Sequence, residues 1–376
     1  VDIKTLVKTL TDASNAYYAG SPVMDDAEFD TLRDELEKLD PTNAFLKVVG
    51  APVQVTVWPV QKHSRTIGSL AKVKHDEKAD FLKWAKGKGD LILSEKLDGI
   101  TIVATYKKGK LIHAVTRGNG AEGENITPNF IKMQNIKEDL DARFTGELRG
   151  EILLEKSLFN KHFVPLGYRN CRNAAAGKAR DKKGKRGDND LVVHLKVVWF
   201  QAVVPGLKTK LDEFKLIQQL GLQHVTYARF FDKRTPDDLW DRFEEYRRDK
   251  LDYLIDGLVV DCNDLSLHKK LGMVGGRPKA ALAIKFESEG GITTINDITW
   301  QAGLTGRMCP VAEVEPINLA GATIARVTLN NLDYIKQLDV AIGDRVMVIR
   351  SNDVIPKITA VVDRSGREYL CLKCKK

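Results

Sequence analysis

The sequence predicts a multidomain α+β protein with a helical N-terminal segment, a β-rich central region and a small β-barrel near its end. Three observations carry that reading. Apolar residues recur at helical spacing through residues 1–45, short β-type runs bounded by turns fill residues 90–290, and a second set of short strands fills residues 292–362. At 376 residues the chain exceeds one typical domain, and its 43% hydrophobic content supports folded cores.

Leu6, Leu10, Ala13 and Tyr17 share a helical face, which Gly20-Ser21-Pro22 interrupts. Asp25-Asp26 suits the start of a second helix carrying Phe29, Leu32, Leu36 and Leu39 on one side. Residues 46–75 read as loop-rich. Strand patterns follow at Leu91–Leu93, Ile100–Tyr106, Leu111–Thr116, Gly146–Leu154, Val192–Val204, Gly257–Cys262 and Ala281–Phe286, with helical periodicity at 212–221 and 237–249. The last group comprises Ile292–Trp300, Val311–Leu319, Ala322–Leu329 and Arg345–Arg350. Roughly five short strands in so compact a segment suit an OB-fold.

The formal charge of +8 suits a polyanionic partner without identifying one, and residues 178–188 are densely basic, as a solvated loop or a phosphate-backbone contact would be. No apolar run approaches the ~18 residues of a membrane span, and Val1-Asp2-Ile3-Lys4 does not resemble a signal peptide. The five cysteines, Cys171, Cys262, Cys309, Cys371 and Cys374, are odd in number and scattered. That argues against a disulfide framework and for a reducing compartment, the cytoplasm. Cys371 and Cys374 form one C-x-x-C pair, which is either half of a tetrahedral zinc site whose other ligands a further domain supplies or an incidental surface feature.

Ser94-Glu95-Lys96-Leu97-Asp98-Gly99 carries the chemistry. Lys96 is expected on a small turn between Leu91-Ile92-Leu93 and the run beginning at Ile100. Lysine is nucleophilic only when deprotonated, so such a site is expected to lower its pKa by burial or by nearby cations. Attack on a phosphoanhydride would leave a covalent lysyl-nucleotide. By itself Lys-x-Asp-Gly is commonly no more than an exposed turn.

Taken with the motifs that follow it in order, it resembles the adenylation motif of the NAD-dependent DNA ligases. The further motifs are Thr116-Arg117-Gly118-Asn119-Gly120, Gly123-Glu124-Asn125-Ile126-Thr127, Leu148-Arg149-Gly150-Glu151, Asn170-Cys171-Arg172-Asn173-Ala174-Ala175-Ala176-Gly177, Ile255-Asp256-Gly257-Leu258-Val259-Val260 and Ala283-Ile284-Lys285-Phe286. Tyr17-Tyr18 with Asp26-Ala27-Glu28-Phe29-Asp30 is similar to the family's N-terminal subdomain, which recognises nicotinamide mononucleotide.

The resemblance implies a helical subdomain at 1–60, a nucleotidyltransferase (adenylation) domain at 61–288, an OB-fold at 289–368 and the start of a zinc-finger segment at 369–376. It implies NAD⁺ and Mg²⁺ as cofactors and nicked duplex DNA as partner. Lys96 would take AMP, Asp98 and Glu151 would serve ribose hydroxyls or Mg²⁺, and Lys285 would neutralise phosphate. Tyr17, Tyr18, Asp26 and Asp30 would face the nicotinamide nucleotide. Ser69, Leu70, Ser94, Glu95, Arg117, Phe200 and Asp256 would complete the cofactor pocket, with Phe200 stacked on adenine. Arg172, Arg180 and Arg248 would meet nucleotide or DNA phosphates.

The chain also departs from the pattern. Ser94 stands where the family has an adenine-reading Glu, and strand alternation would aim the adjacent Glu95 away from the pocket. Asp261 replaces a phosphate-contacting Lys, Leu304 replaces an Arg of the OB region, and Phe29 replaces a Tyr. These departures, with the end at Lys376, suggest a divergent phage or viral member, a C-terminally truncated form, or a subunit whose remaining domains lie on a separate polypeptide. Two rival readings are an ATP- or GTP-using lysyl-nucleotidyltransferase of the RNA-ligase or capping type, and a nick-binding subunit impaired in catalysis.

Overall fold

In the computed structural model, residues 2–18, 26–41, 43–47, 58–168, 170–182, 189–230, 235–246, 250–274, 276–286, 290–302, 308–319, 322–351 and 355–366 are described. Arg248, Leu304, Cys371 and Cys374 lie outside that set, and so do the side chains of Tyr17, Tyr18, Asp26 and Asp30. The chain divides into two compact units, the first containing residues 32–286 and the second residues 287–376. Among the described residues no helix is long and apolar enough to cross a membrane.

The N-terminal helices run Ile3–Tyr18, Asp26–Leu39 and Ala44–Lys47. Leu6, Leu10, Ala13, Leu36 and Leu46 are buried, so the apolar faces read from the spacing are interior ones. Arg33 fixes the last of these helices by donating to the Leu46 carbonyl at 3.1 Å.

The central region is built on two sheets. The five-stranded one has the order Ala71–Lys74, Ala281–Lys285, Ile255–Cys262, Leu91–Leu97, Tyr227–Phe230. Its first pair is parallel and the others are antiparallel. Val73, Leu91, Leu93, Leu258, Val260, Leu282 and Ile284 share a core with Phe81, Leu239, Trp240 and Phe243 from helices Lys78–Ala85 and Pro236–Glu244. The four-stranded sheet is antiparallel throughout, in the order Lys110–Thr116, Ile100–Lys107, Gly146–Leu154, Leu195–Val203. Ile102, Ala104, Leu148, Ile152, Val197 and Trp199 pack in one core with Ala174, Ala175, Phe214 and Ile217 of helices Cys171–Ala179 and Lys210–Gln219.

The second unit is a closed five-stranded barrel, ordered Gly290–Ala302, Met308–Leu319, Ala322–Thr328, Ile355–Asp363, Arg345–Ser351. A helix, Leu332–Leu338, lies between its third and fourth strands in chain order. Ile295, Val314, Val327, Val346, Val348 and Ile358 fill the interior. This is the OB-type barrel that the strand pattern predicts.

Some local expectations are corrected. Residues 46–75 contain two strands, Val60–Lys62 and Ala71–Lys74. The segment read as one strand from Val192 begins as a 3₁₀ turn, Asn189–His194. The barrel strand Ile355–Asp363 has no counterpart among the predicted runs. Lys96 is not on a turn: it belongs to strand Leu91–Leu97, and the chain reverses after it at Asp98-Gly99.

Candidate nucleotide site

Lys96 lies on the face of the five-stranded sheet opposite the Trp240 core. Lys96 pairs with Gly257, Ser94 with Val259 and Ile92 with Asp261, so these residues point to one side, while Leu93 and Glu95 point to the other. Between Ile255 and Gly257 the register slips by one residue. Asp256 is the extra residue of this β-bulge, and such an insertion re-aims a side chain. Here it brings the Asp256 carboxylate onto the Lys96 amine, which donates to Oδ1 at 2.6 Å and to Oδ2 at 2.7 Å. Lys285 Nζ is 3.9 Å from the same carboxylate. Gly257 is needed at this crowded point, since a Cβ there would collide with the Ile284 carbonyl oxygen.

The turn after Lys96 carries Asp98, whose carboxylate is 3.2 Å from Arg172 Nε. Arg172 is held at the start of helix Cys171–Ala179, whose N-cap Asn170 accepts from the Asn173 amide. A Cβ on Gly99 would strike the Ile152 carbonyl oxygen, so the turn lies directly against strand Gly146–Leu154. On that strand Glu151 pairs with Thr101 and is buried. Arg117 sits in the turn after Lys110–Thr116, where its amide donates to the Thr101 carbonyl.

Charge links these groups. Burial pulls the Lys96 ammonium down, but the Asp256 charge and its hydrogen bonds outweigh burial, and the net direction is up. The expectation of a lowered Lys96 pKa is therefore corrected: the bulge supplies an anion where the sequence suggested cations. Burial pushes Asp256 up, and the Lys96 and Lys285 charges more than reverse that. Burial raises Glu151 to about 7, against the pull of the Thr101 hydrogen bond and the charges of Arg172, Arg117 and Lys96. Four cations and three carboxylates thus surround one point, an arrangement suited to an incoming phosphate.

Phe200 is also the extra residue of a bulge, where strand Leu195–Val203 slips against Arg149 and Gly150. Its carbonyl accepts from Lys210 Nζ at 2.9 Å. Ser69 and Leu70 are half-buried and lead into the edge strand Ala71–Lys74. Ser94 is 6% exposed on the Lys96 face. Glu95 is not on that face. It is 4% exposed on the opposite side and accepts from Tyr246 at 2.5 Å and Tyr253 at 2.7 Å, so its expected place in the cofactor pocket is corrected by strand alternation. Arg180 stands with Glu124, at 3.8 Å, rather than in the Lys96 cluster.

Asp261 is 9% exposed, and its charge acts on the buried pair Lys210 and Glu213, whose side chains are 3.0 Å apart. Lys210 is the cation that compensates it. Sequence reasoning missed Lys210, Tyr246 and Tyr253. Lys210 opens a helix with the capping box Thr209–Asp212, a pattern that normally belongs to an exposed first turn.

Residues 58–289 match the family model described as the NAD-dependent DNA ligase adenylation domain, and residues 292–369 match that of the NAD-dependent DNA ligase OB-fold domain. The chain belongs to the family of NAD-dependent DNA ligases. Among its relatives, a DNA ligase of Sorangium cellulosum is 36% identical over 399 residues, covering 97% of this chain and 57% of its own length. A DNA ligase of Heliobacterium modesticaldum is 33% identical over 378 residues, covering 94% of this chain and 55% of its own. The chain therefore spans little more than half the length of these relatives.

The carboxylates allow a test of fit for the Mg²⁺ that the family implies. Among the described residues no three His, Cys, Asp or Glu side chains converge as a metal cage. Magnesium is commonly held by one or two carboxylates together with substrate phosphates, and Asp98 and Glu151 flank Lys96 with oxygen donors of that kind. The donor set fits an ion that arrives with phosphate.

Proposed function

We propose that this chain carries out the nucleotidyl-transfer chemistry of an NAD-dependent DNA ligase. Lys96 takes AMP from NAD⁺, AMP passes to the 5′-phosphate of a nicked duplex, and the 3′-hydroxyl displaces AMP to seal the strand. The observation that carries this reading is the two-point grip of Asp256 on Lys96 within a ring of Asp98, Arg117, Glu151, Arg172 and Lys285.

In the first step the Lys96 nitrogen attacks the adenylyl phosphorus. An N–P bond forms, the P–O bond to nicotinamide mononucleotide breaks, and the leaving phosphate takes the electron pair. The ammonium must first lose a proton, and Asp256, already bonded to it, is placed to receive that proton. Phe200 offers a ring for adenine, with Ser69, Leu70 and Ser94 around the base, and Arg117 serves the ribose or phosphate side. Lys285 neutralises charge on the transferred phosphoryl group. Bound Mg²⁺ would supply further neutralisation from Asp98 and Glu151.

On the same reading, the helices bearing Tyr17, Tyr18, Asp26 and Asp30 recognise the nicotinamide nucleotide. The barrel, Arg172, Arg180 and Arg248 meet DNA phosphates, a sequence-independent attraction. Incubation with NAD⁺ should add the mass of one AMP to the wild-type chain and none to Lys96→Ala. An adduct of equal yield on Lys96→Ala, or one formed from ATP but not NAD⁺, would refute the assignment.

A further inference from the structure

Strand Ile255–Cys262 runs through the middle of the Lys96 face, yet it brings no cation there: the bulged Asp256 and the paired Gly257, Val259 and Asp261 are its residues on that side, and Asp261 is held beside Lys210. The positive charge comes from the strands to either side. Gly257 pairs with Lys96 on one flank and with Lys285 on the other, and Lys285 pairs in turn with Lys74 of the edge strand Ala71–Lys74. Lys74, Lys285, Gly257 and Lys96 therefore form one continuous rung across four strands.

The sides of this rung are fixed by burial. Val73 is buried in the Trp240 core together with Ile284, its partner. Lys72 and Lys74, on either side of Val73, project to the opposite face, where Lys285 approaches Asp256, and both are exposed. Neighbouring strands lie about 4.8 Å apart, so Lys74 starts one strand spacing beyond Lys285. A lysine side chain easily bridges that spacing. In the turn after Lys74, Glu77 accepts from the Lys74 amide at 2.8 Å.

We propose that Lys74 is a phosphate-binding residue of this site, forming with Lys285 a two-lysine clamp for a diphosphate. The inference rests on the function proposed above in one respect: it identifies the diphosphate as that of NAD⁺. In-line attack by Lys96 expels the leaving phosphate away from the nucleophile, and the far end of the lysine rung lies across the sheet from Lys96. Lys74 receives charge on the departing group, whereas Lys285 serves the phosphoryl group in transfer. Its position on an edge strand keeps the amine hydrated until a polyanion binds.

The test has two independent readouts on the intact chain. Inorganic pyrophosphate, titrated by calorimetry, should bind about tenfold more weakly to Lys74→Ala than to wild type, with Lys74→Arg close to wild type, as loss of one charge-assisted phosphate contact predicts. Single-turnover AMP transfer from NAD⁺ should slow about tenfold in Lys74→Ala, with the melting temperature unchanged and recovery in Lys74→Arg. Pyrophosphate affinity unchanged by Lys74→Ala overturns the clamp. If pyrophosphate binding depends on Lys74 while the wild-type chain takes no AMP from NAD⁺, the clamp stands and the proposed function fails. If wild type is adenylated and Lys74→Ala matches it within twofold, the clamp's role in the reaction is overturned.

Discussion

Asp256 holds both of its carboxylate oxygens against the Lys96 amine, at 2.6 and 2.7 Å, because a single extra residue in strand Ile255–Cys262 swings it onto the lysine side of the sheet. Resting Lys96 is thereby an ammonium and not a nucleophile. On the function proposed above, the carboxylate that keeps this proton on the lysine is also the group best placed to take it when phosphate and its accompanying cations enter and loosen the pair. On that reading the nucleophile is buried, charged and harmless until substrate arrives.

The first prediction follows from the sign of that effect. Burial lowers the Lys96 pKa while Asp256 raises it, so Asp256→Asn leaves the weaker charge of Asp98 to oppose burial and the charge of Arg172. The free amine should then form at lower pH than in wild type. Measured by the pH dependence of Lys96 acylation in peptide mass spectra, the midpoint should move to lower pH. An unchanged midpoint would mean that Asp256 does not control the lysine.

Glu151 gives a prediction about stability. Its carboxyl is raised from 4.5 to about 7 by burial, so between those values the folded chain holds a proton that the unfolded chain has released. Stability from this group is full below pH 4.5 and is lost as pH rises through 7, on the order of 3 kcal/mol. Glu151→Gln cannot ionise and should escape that loss. Without nucleotide, the variant should unfold at higher denaturant concentration than wild type at pH 8 and at about the same concentration at pH 4.5. Equal differences at both values would dispose of the idea.

A third prediction concerns Glu95. Its two phenol donors, Tyr246 and Tyr253, anchor it on the side of the sheet away from Lys96. Tyr253→Phe removes one donor from a buried carboxylate and should cost about 1–3 kcal/mol of stability. AMP transfer by the folded variant should stay within about twofold of wild type. A large loss of transfer rate with no loss of stability would return Glu95 to the nucleotide pocket.

Glu95 also shows how far the sequence could be read. Alternation along a strand depends on local geometry, so the opposed faces of Glu95 and Lys96 were legible once the strand was recognised, as were the helices and the barrel from their periodicity. The bulges were not. Asp256 and Phe200 are placed by a one-residue slip against a partner strand far away in sequence, and nothing in Ile255-Asp256-Gly257 announces such a slip beyond the glycine. The lysine rung was hidden for the same reason, since it exists only in the register of Ala71–Lys74 against Ala281–Lys285.

The last prediction tests the buried cluster behind Phe200. Lys210, Glu213 and Asp261 are 5%, 3% and 9% exposed. Burial pulls Lys210 down, but the charges of Glu213 and Asp261 outweigh it, and burial pushes Glu213 up. Lys210→Met removes the cation and leaves two carboxylates together in a low-dielectric interior, which should cost about 3–5 kcal/mol near pH 8. It also removes the donor to the Phe200 carbonyl. Because Glu213, pushed up by burial, can take up a proton once the lysine is gone, the penalty should shrink as pH falls from 8 towards 5. Adding Glu213→Gln and Asp261→Asn to Lys210→Met should recover much of the stability at pH 8, because the uncompensated charges are then absent. Denaturant unfolding of the single and triple variants at both pH values decides the matter: a penalty independent of pH and untouched by the two amide substitutions would show that Lys210 acts through packing alone.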